Sequence, residues 1–240
     1  MVSAIVLAAG RSTRMGGGPN KQFLELHGKP LLWYSLTAFT QCAAVDEIIL
    51  VRSPAYAEAA ARLVRESGLA KVTALVDGGR ERQDSVWNGL ARARGEIVAV
   101  HDGARPLVTA ALIEATVRSA RECGTGIAAT KVVDTIKEAD ESRTIVRTVD
   151  RTRLWAVQTP QTVRTALLRE AYALVRQKGV VVTDEAAAVE LLGQPVRLVE
   201  TPFLNLKITT PADLALAEAL LQSHLLRSRA REGVDSGSGE

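Results

Sequence analysis

Short apolar runs recur along the chain at Val2–Leu7, Glu47–Val51, Val72–Val76, Glu96–Val100, Gly126–Val132 and Val196–Val199. They are almost continuously hydrophobic and rich in β-branched residues, the pattern of strands buried on both faces. Helical stretches separate them. Ser53-Pro54 opens one that runs to about Glu66, with Gly68 beyond it. Thr109 caps another, whose inner stripe of Leu112, Ile113, Val117 and Ala120 stops at Gly124. Thr210-Pro211-Ala212-Asp213 starts a third, an N-cap followed by proline at the first helical position, with Leu214, Ala217, Leu220 and Leu221 as its stripe. This alternation predicts an α/β fold of three layers, a mostly parallel sheet with helices on both faces. Ligands in such sheets bind at the carboxyl ends of the strands, so the loops that follow the strands are where chemistry is expected.

One stretch breaks the rhythm. From Val133 to Val149 the chain is polar and carries charges of both signs, with Asp140-Glu141-Ser142 between two short alternating runs. That pattern predicts a protruding β-hairpin arm over about residues 133–152, suited to packing on a second subunit. The chain is therefore read as one domain over residues 1–226, arm included. From about Arg227 it turns to Arg, Ser, Gly and Glu, and 227–240 is expected to be a disordered tail.

Composition narrows the function classes. A chain of 240 residues with 47% hydrophobic content supports a core that needs no disulfide framework, and Cys42 and Cys123 read as reduced, buried thiols. The apolar start lacks a basic flank and stops at Arg11, unlike a secretion signal, and no run is long enough to span a bilayer, so a cytoplasmic protein is expected. With 30 basic and 27 acidic residues the net charge is +3, too even to argue for a nucleic-acid partner, yet compatible with a local basic pocket for a small polyanion.

The loop after the first strand offers such a pocket. In Leu7-Ala8-Ala9-Gly10-Arg11-Ser12-Thr13-Arg14-Met15-Gly16-Gly17-Gly18-Pro19-Asn20-Lys21, small residues let the backbone approach a ligand, and Arg11, Arg14 and Lys21 add fixed charge. The spacing is neither that of a P-loop nor that of a dinucleotide-binding turn. After the third run, Asp77-Gly78-Gly79-Arg80-Glu81-Arg82-Gln83-Asp84-Ser85 opens a helix whose N–H groups and Ser85 suit a base edge or a phosphate. The fourth run ends in His101-Asp102-Gly103-Ala104-Arg105-Pro106. Asp102 there suits a metal or a substrate hydroxyl, Arg105 a brace for the loop, and His101 a packed, hydrogen-bonded position rather than a base. Thr183 reads as the cap of a following helix, with Asp184 and Glu185 at its positive end. Lys207 ends a strand and precedes the third helix, at the loop edge.

Five motifs in order, Leu-Ala-Ala-Gly-x-x-x-Arg-Met with Lys21, His-Asp-Gly-Ala-Arg-Pro, Leu-Trp-Ala-Val-Gln-Thr-Pro-Gln, Thr-Asp-Glu-Ala and Asn-x-Lys-Ile-Thr, resemble the 2-C-methyl-D-erythritol 4-phosphate cytidylyltransferases over residues 2 to about 222. Leu7 stands where proline is common in that family, and Arg80 where an acid or small residue occurs. The resemblance implies a Rossmann-like nucleotidyltransferase fold whose arm makes a homodimer, and CTP and 2-C-methyl-D-erythritol 4-phosphate as substrates. It implies Ala8, Ala9 and Gly10 against the nucleotide, Gly79, Arg82 and Ser85 at the cytosine end, and Arg14, Lys21 and Lys207 on the phosphates. Asp102, Thr135, Arg151 and Thr159 would serve the sugar phosphate, the arm residues reaching a neighbouring subunit. Mg²⁺ would be held mainly through the triphosphate, near Asp102. No cyclodiphosphate synthase domain is expected. A phosphate nucleophile is already anionic and needs no general base, but two unit charges about 4 Å apart repel by roughly 4 kcal/mol at an effective dielectric near 20, so cations are required. Ribitol-5-phosphate cytidylyltransferase and a non-catalytic nucleotide-binding protein are the alternatives.

Overall fold

The computed structural model describes residues 1–10, 20–201 and 205–222. Arg11 and Arg14 of the first loop and the 227–240 tail lie outside the described residues. A seven-stranded sheet forms the centre. In chain order its strands are β1 (Val2–Ala8), β4 (Glu47–Arg52), β5 (Val72–Asp77), β6 (Ile97–Asp102), β7 (Thr125–Lys131), β10 (Trp155–Arg164) and β11 (Leu198–Glu200). A small hairpin of β2 (Glu25–Leu26) and β3 (Lys29–Pro30) and the arm strands β8 (Ile136–Ala139) and β9 (Ile145–Val149) complete the β structure. The sheet order is β11-β7-β10-β6-β1-β4-β5. Neighbours pair in parallel except β10, which runs antiparallel to both β6 and β7.

The apolar runs behave as double-faced strands should. In β1, Val2, Ala4, Val6 and Ala8 join one core while Ile5 and Leu7 join the other. Helices α1 (Leu31–Gln41), α2 (Ala57–Glu66) and α4 (Ala110–Cys123) cover the first face. Helices α3 (Arg82–Leu90), α5 (Thr165–Lys178) and α6 (Glu185–Glu190) cover the second. A last helix, α7, spans residues 211–222 and packs Leu214, Ala217 and Leu221 with Leu26 and Ile208. Three layers around a mostly parallel sheet are what the alternation predicts.

Local signals hold in most places. Thr109 accepts the Leu112 N–H at 3.3 Å, and Gly124 closes α4 at φ +87°, a left-handed conformation that glycine adopts without a Cβ penalty. At α7, Asp213 accepts the N–H groups of Thr209 and Thr210, both at 2.8 Å, and Thr210 accepts that of Asp213. Four expectations need correction. Ser53 makes no side-chain cap, because Pro54–Tyr56 form a 3-10 turn and α2 starts only at Ala57. Asp184, not Thr183, caps α6, accepting the Ala187 N–H at 2.9 Å, since the helix starts at Glu185 and the residue immediately before it takes the N-cap position. Cys42 is buried, but Cys123 is exposed at the end of α4. Lys207 does not end a strand; residues 205–209 lie outside the sheet, held where the Ile208 N–H donates to the Ala104 carbonyl at 2.8 Å.

Packing leaves no room for a side chain where β7 meets α4. A Cβ on Gly126 would stand 2.3 Å from the Thr116 carbonyl oxygen and 2.9 Å from the Ser119 Cβ. Because the first obstacle is backbone, it cannot swing away. We expect Gly126→Ala to lower the unfolding free energy by about 1–3 kcal/mol, read as a shift in the urea midpoint at unchanged slope.

Candidate active site

The register of the sheet decides which loops meet. Leu7 pairs with Asp102 across β1 and β6, and Arg52 pairs with Asp77 across β4 and β5. The carboxyl ends of these strands therefore stand side by side, and their loops share one edge. Ala9 lies against Gly78, where an added Cβ would fall 2.2 Å from the Ala9 Cβ, so this approach requires glycine. The Gly79 N–H donates to Ser85 Oγ at 3.0 Å, and that hydroxyl donates to the Glu81 carbonyl at 3.2 Å. A reciprocal bond pair between Glu81 and Asp84 closes the turn into α3. Ala8, Ala9, Gly10, Gly79 and Ser85 thus shape two touching loops.

The first turn of α3 points Arg82 at two carboxylates. Its Nη1 and Nη2 donate to Glu185 at 2.7 and 3.0 Å, and its Nε approaches Asp102 Oδ1 at 3.4 Å. Lys207 Nζ donates to Asp102 Oδ2 at 2.7 Å, and Arg105 Nε stands 4.0 Å from the same oxygen. Burial would raise the Asp102 pKa, but Arg82, Lys207 and Arg105 outweigh it and hold the carboxyl well below the usual range. Burial likewise disfavours the Arg82 cation, yet Glu185 and Asp102 more than reverse that and keep it charged. Lys21 Nζ donates to the Ile208 carbonyl at 2.9 Å, next in sequence to Lys207.

Behind the carboxylate a chain of hydrogen bonds fixes the backbone. The Asp102 N–H donates to Thr159 Oγ1 at 3.0 Å, and that hydroxyl donates to His101 Nδ1, also at 3.0 Å, because Nε2 faces a carbonyl and must carry the ring proton. His101 is then neutral, with Nε2–H donating to the Arg105 carbonyl at 3.3 Å. Its complete burial lowers its pKa to about 3. Arg105 Nη1 donates to the Asn205 carbonyl at 2.7 Å, and Asn205 Nδ2 to that of Thr159 at 2.6 Å. The brace expected of Arg105 and the packed His101 are both present, and Thr159 adds a structural duty to its expected place near the substrate.

Arg82, Asp102, Gln158, Thr159, Thr183 and Lys207 line a cavity of about 170 Å³ at this edge. The structure so brings together Arg82, Asp102, Thr159 and Lys207. It does not bring Thr135 and Arg151 to the cavity wall: both are exposed, and Arg151 donates to the Val133 carbonyl at the base of the arm. Glu185 and Tyr172 escape a reading of the sequence. No local motif singles out Tyr172, and Glu185 reads with Asp184 only as charge at the positive end of a helix. Among the described residues no group of three His, Cys, Asp or Glu side chains converges on a metal position. Of the two acids lining the cavity, Asp102 already faces three cations, and Asp184 accepts from Gln161 and from the Ala187 N–H. A divalent ion fits here only if a ligand's phosphates supply most of its oxygens.

The family described as 2-C-methyl-D-erythritol 4-phosphate cytidylyltransferase matches residues 2–223. A protein of that name from Geobacillus kaustophilus (strain HTA426) is 47% identical over 223 residues, 92% of this chain and 97% of that protein. A crystal structure of a 2-C-methyl-D-erythritol 4-phosphate cytidylyltransferase from Thermus thermophilus superposes with a TM-score of 0.76 at 35% identity, covering 91% of this chain and 98% of that one. The 4-diphosphocytidyl-2C-methyl-D-erythritol synthase of Anaerococcus prevotii DSM 20548 gives a TM-score of 0.80 at 29% identity, covering 92% and 98%.

The His101 environment has a consequence for stability. Unfolded, the imidazole binds a proton near its ordinary 6.5, whereas folded it resists protonation down to about 3. Between those values the unfolded state holds more protons, so stability falls as pH falls. The loss from pH 7 to pH 5 should be about 2 kcal/mol. Denaturant titrations at the two pH values should show this slope in the wild type and its near disappearance in His101→Gln.

Proposed function

The chain belongs to the 2-C-methyl-D-erythritol 4-phosphate cytidylyltransferase family, and we propose that it transfers CMP from CTP to 2-C-methyl-D-erythritol 4-phosphate, releasing pyrophosphate and serving non-mevalonate isoprenoid precursor synthesis in the cytoplasm. The observation that carries the reading is the cationic edge around Asp102, where Arg82, Arg105 and Lys207 meet beside the small-residue loop of β1.

A phosphate monoester oxygen attacks the α-phosphorus, and the bond to the β-phosphate oxygen breaks. Both partners are anions, so positioning and positive charge govern the rate. Arg14, Lys21 and Lys207 are the cations we assign to the phosphates, and Ala8, Ala9, Gly10, Gly79, Arg82 and Ser85 the residues at the nucleotide. Lys207 bridges toward the phosphates from its place on Asp102. His101 takes no proton from the nucleophile, since its Nδ1 accepts from Thr159 and its Nε2 faces a carbonyl. Mg²⁺, when held mainly through the triphosphate near Asp102, would supply further positive charge to the phosphates.

The arm fits a homodimer. Val133 at its base and Ile145 and Val146 toward its tip are 78%, 61% and 61% exposed, apolar side chains left uncovered along an otherwise polar arm. A second copy covers it in our reading, and Thr135, Arg151 and Thr159 serve the methylerythritol phosphate there.

Pyrophosphate release with Mg²⁺, CTP and either methylerythritol phosphate or ribitol phosphate tests the assignment. We expect release with the first alone; release with ribitol phosphate alone would move the protein to the other substrate, and nucleotide binding without release would make it a binding protein. Arg14→Ala, Lys21→Ala and Lys207→Ala should each lower turnover at least about tenfold, or 1.4 kcal/mol. Arg151→Ala should act on the Michaelis constant for the sugar phosphate, and an unchanged value there would take the arm out of the site.

A further inference from the structure

Glu185 is fully buried, and its surroundings explain more than a helix start requires. Capping of α6 is already done by Asp184. A carboxylate removed from water is strongly unfavourable unless paired and hydrogen-bonded. Glu185 meets both conditions: Arg82 grips it with both terminal nitrogens, and the Tyr172 hydroxyl from α5 donates to Oε1 at 3.1 Å. Burial and the neighbouring Glu185 both raise the Tyr172 pKa, so that hydroxyl keeps its proton to donate.

The consequence lies at the other end of the guanidinium. A two-pronged pair fixes the plane and direction of an arginine side chain, not only its distance. With both terminal nitrogens turned to Glu185, Arg82 reaches Asp102 only through Nε, at 3.4 Å. Asp102 Oδ2 is thereby left to Lys207 at 2.7 Å. Charges alternate along this line: Glu185, Arg82, Asp102, Lys207. Without the Glu185 charge, the nearest anion for Arg82 is Asp102, and a guanidinium turned fully onto it would compete with Lys207 for the same carboxylate.

We infer that Glu185 is a positioning residue for phosphoryl transfer, acting through Arg82 to set the place of Asp102 and Lys207, with Tyr172 fixing Glu185 in turn. This role rests on the cytidylyltransferase reading. A merely structural tie between α3 and α6 would affect stability and leave turnover of the folded enzyme alone. The positioning role predicts a split between the kinetic constants, since Lys207 acts on charge at the reacting phosphates while CTP is still held by Ala8, Ala9, Gly10, Gly79 and Ser85 when Arg82 turns.

The test is a double-mutant cycle of the wild type, Arg82→Gln, Glu185→Gln and the double variant, assayed by pyrophosphate release with both substrates varied, and with urea midpoints measured alongside. Glu185→Gln should lower kcat at least tenfold while changing the KM for CTP less than threefold, and should cause no further loss in the Arg82→Gln background. Wild-type kcat in Glu185→Gln, or equal losses in both backgrounds, overturns the role. If Glu185→Gln does not fold, Glu185→Asp and Tyr172→Phe replace it, and wild-type kcat in both is the overturning result. A wild-type chain that releases no pyrophosphate overturns the functional reading and this inference together, whereas an active wild type with an unimpaired Glu185→Gln overturns the inference alone.

Discussion

Asp102 carries a carboxylate almost wholly withdrawn from water, and such a charge persists only because Arg82, Lys207 and Arg105 surround it. Those three cations come from different parts of the chain: the start of α3, the turn after β6, and the segment before α7. The carboxylate therefore ties together segments more than a hundred residues apart. Arg82 and Arg105 have second anchors, Glu185 and the Asn205 carbonyl, and the backbone beside Lys207 is held where the Ile208 N–H donates to the Ala104 carbonyl. Removing one member of such a network leaves other charges unsatisfied, which is why its energetics are those of a unit rather than of separate pairs.

The sheet makes this arrangement possible. Parallel pairing of β1, β4, β5 and β6 brings their carboxyl ends to one edge, as Leu7 opposite Asp102 and Arg52 opposite Asp77 show. The reversed strand β10 then enters between β6 and β7 and delivers Thr159 to the same edge, where it holds the Asp102 backbone and the His101 ring. Being neutral and buried, His101 contributes shape rather than proton chemistry. That suits a reaction whose nucleophile needs no base.

Most of the layer architecture was legible because burial on both faces leaves a simple trace. Val2–Leu7 and Glu47–Val51 contain almost nothing polar, and only a strand enclosed by two helical layers tolerates that. Gly124 and Thr210 announced helix ends through conformational preference and capping chemistry that act locally. By contrast β10 mixes Gln158, Thr159, Pro160, Gln161 and Thr162 with a few apolar residues, so no period marks it as a strand, let alone as a reversed one. Its polar residues are buried because distant partners satisfy them, Thr162 by Thr116 and Gln161 by Asp184 and the Ala186 N–H.

The candidate site divides along the same line. Sequence by itself determined the ingredients: the small-residue loop from Ala8 to Gly10, the acid at Asp102, the basic residues Lys21, Arg82 and Lys207, the polar arm, and through the ordered motifs the family. Only the tertiary structure decided how those charges are apportioned, that Arg82 is gripped by Glu185, that Lys207 rests on Asp102, and that Thr159 serves the backbone behind the carboxylate. The reason is physical. Periodicity and capping report interactions within a few residues, whereas the pairing of buried charges depends on which side chains a closed sheet brings within about 3 to 4 Å, and no local pattern encodes that choice.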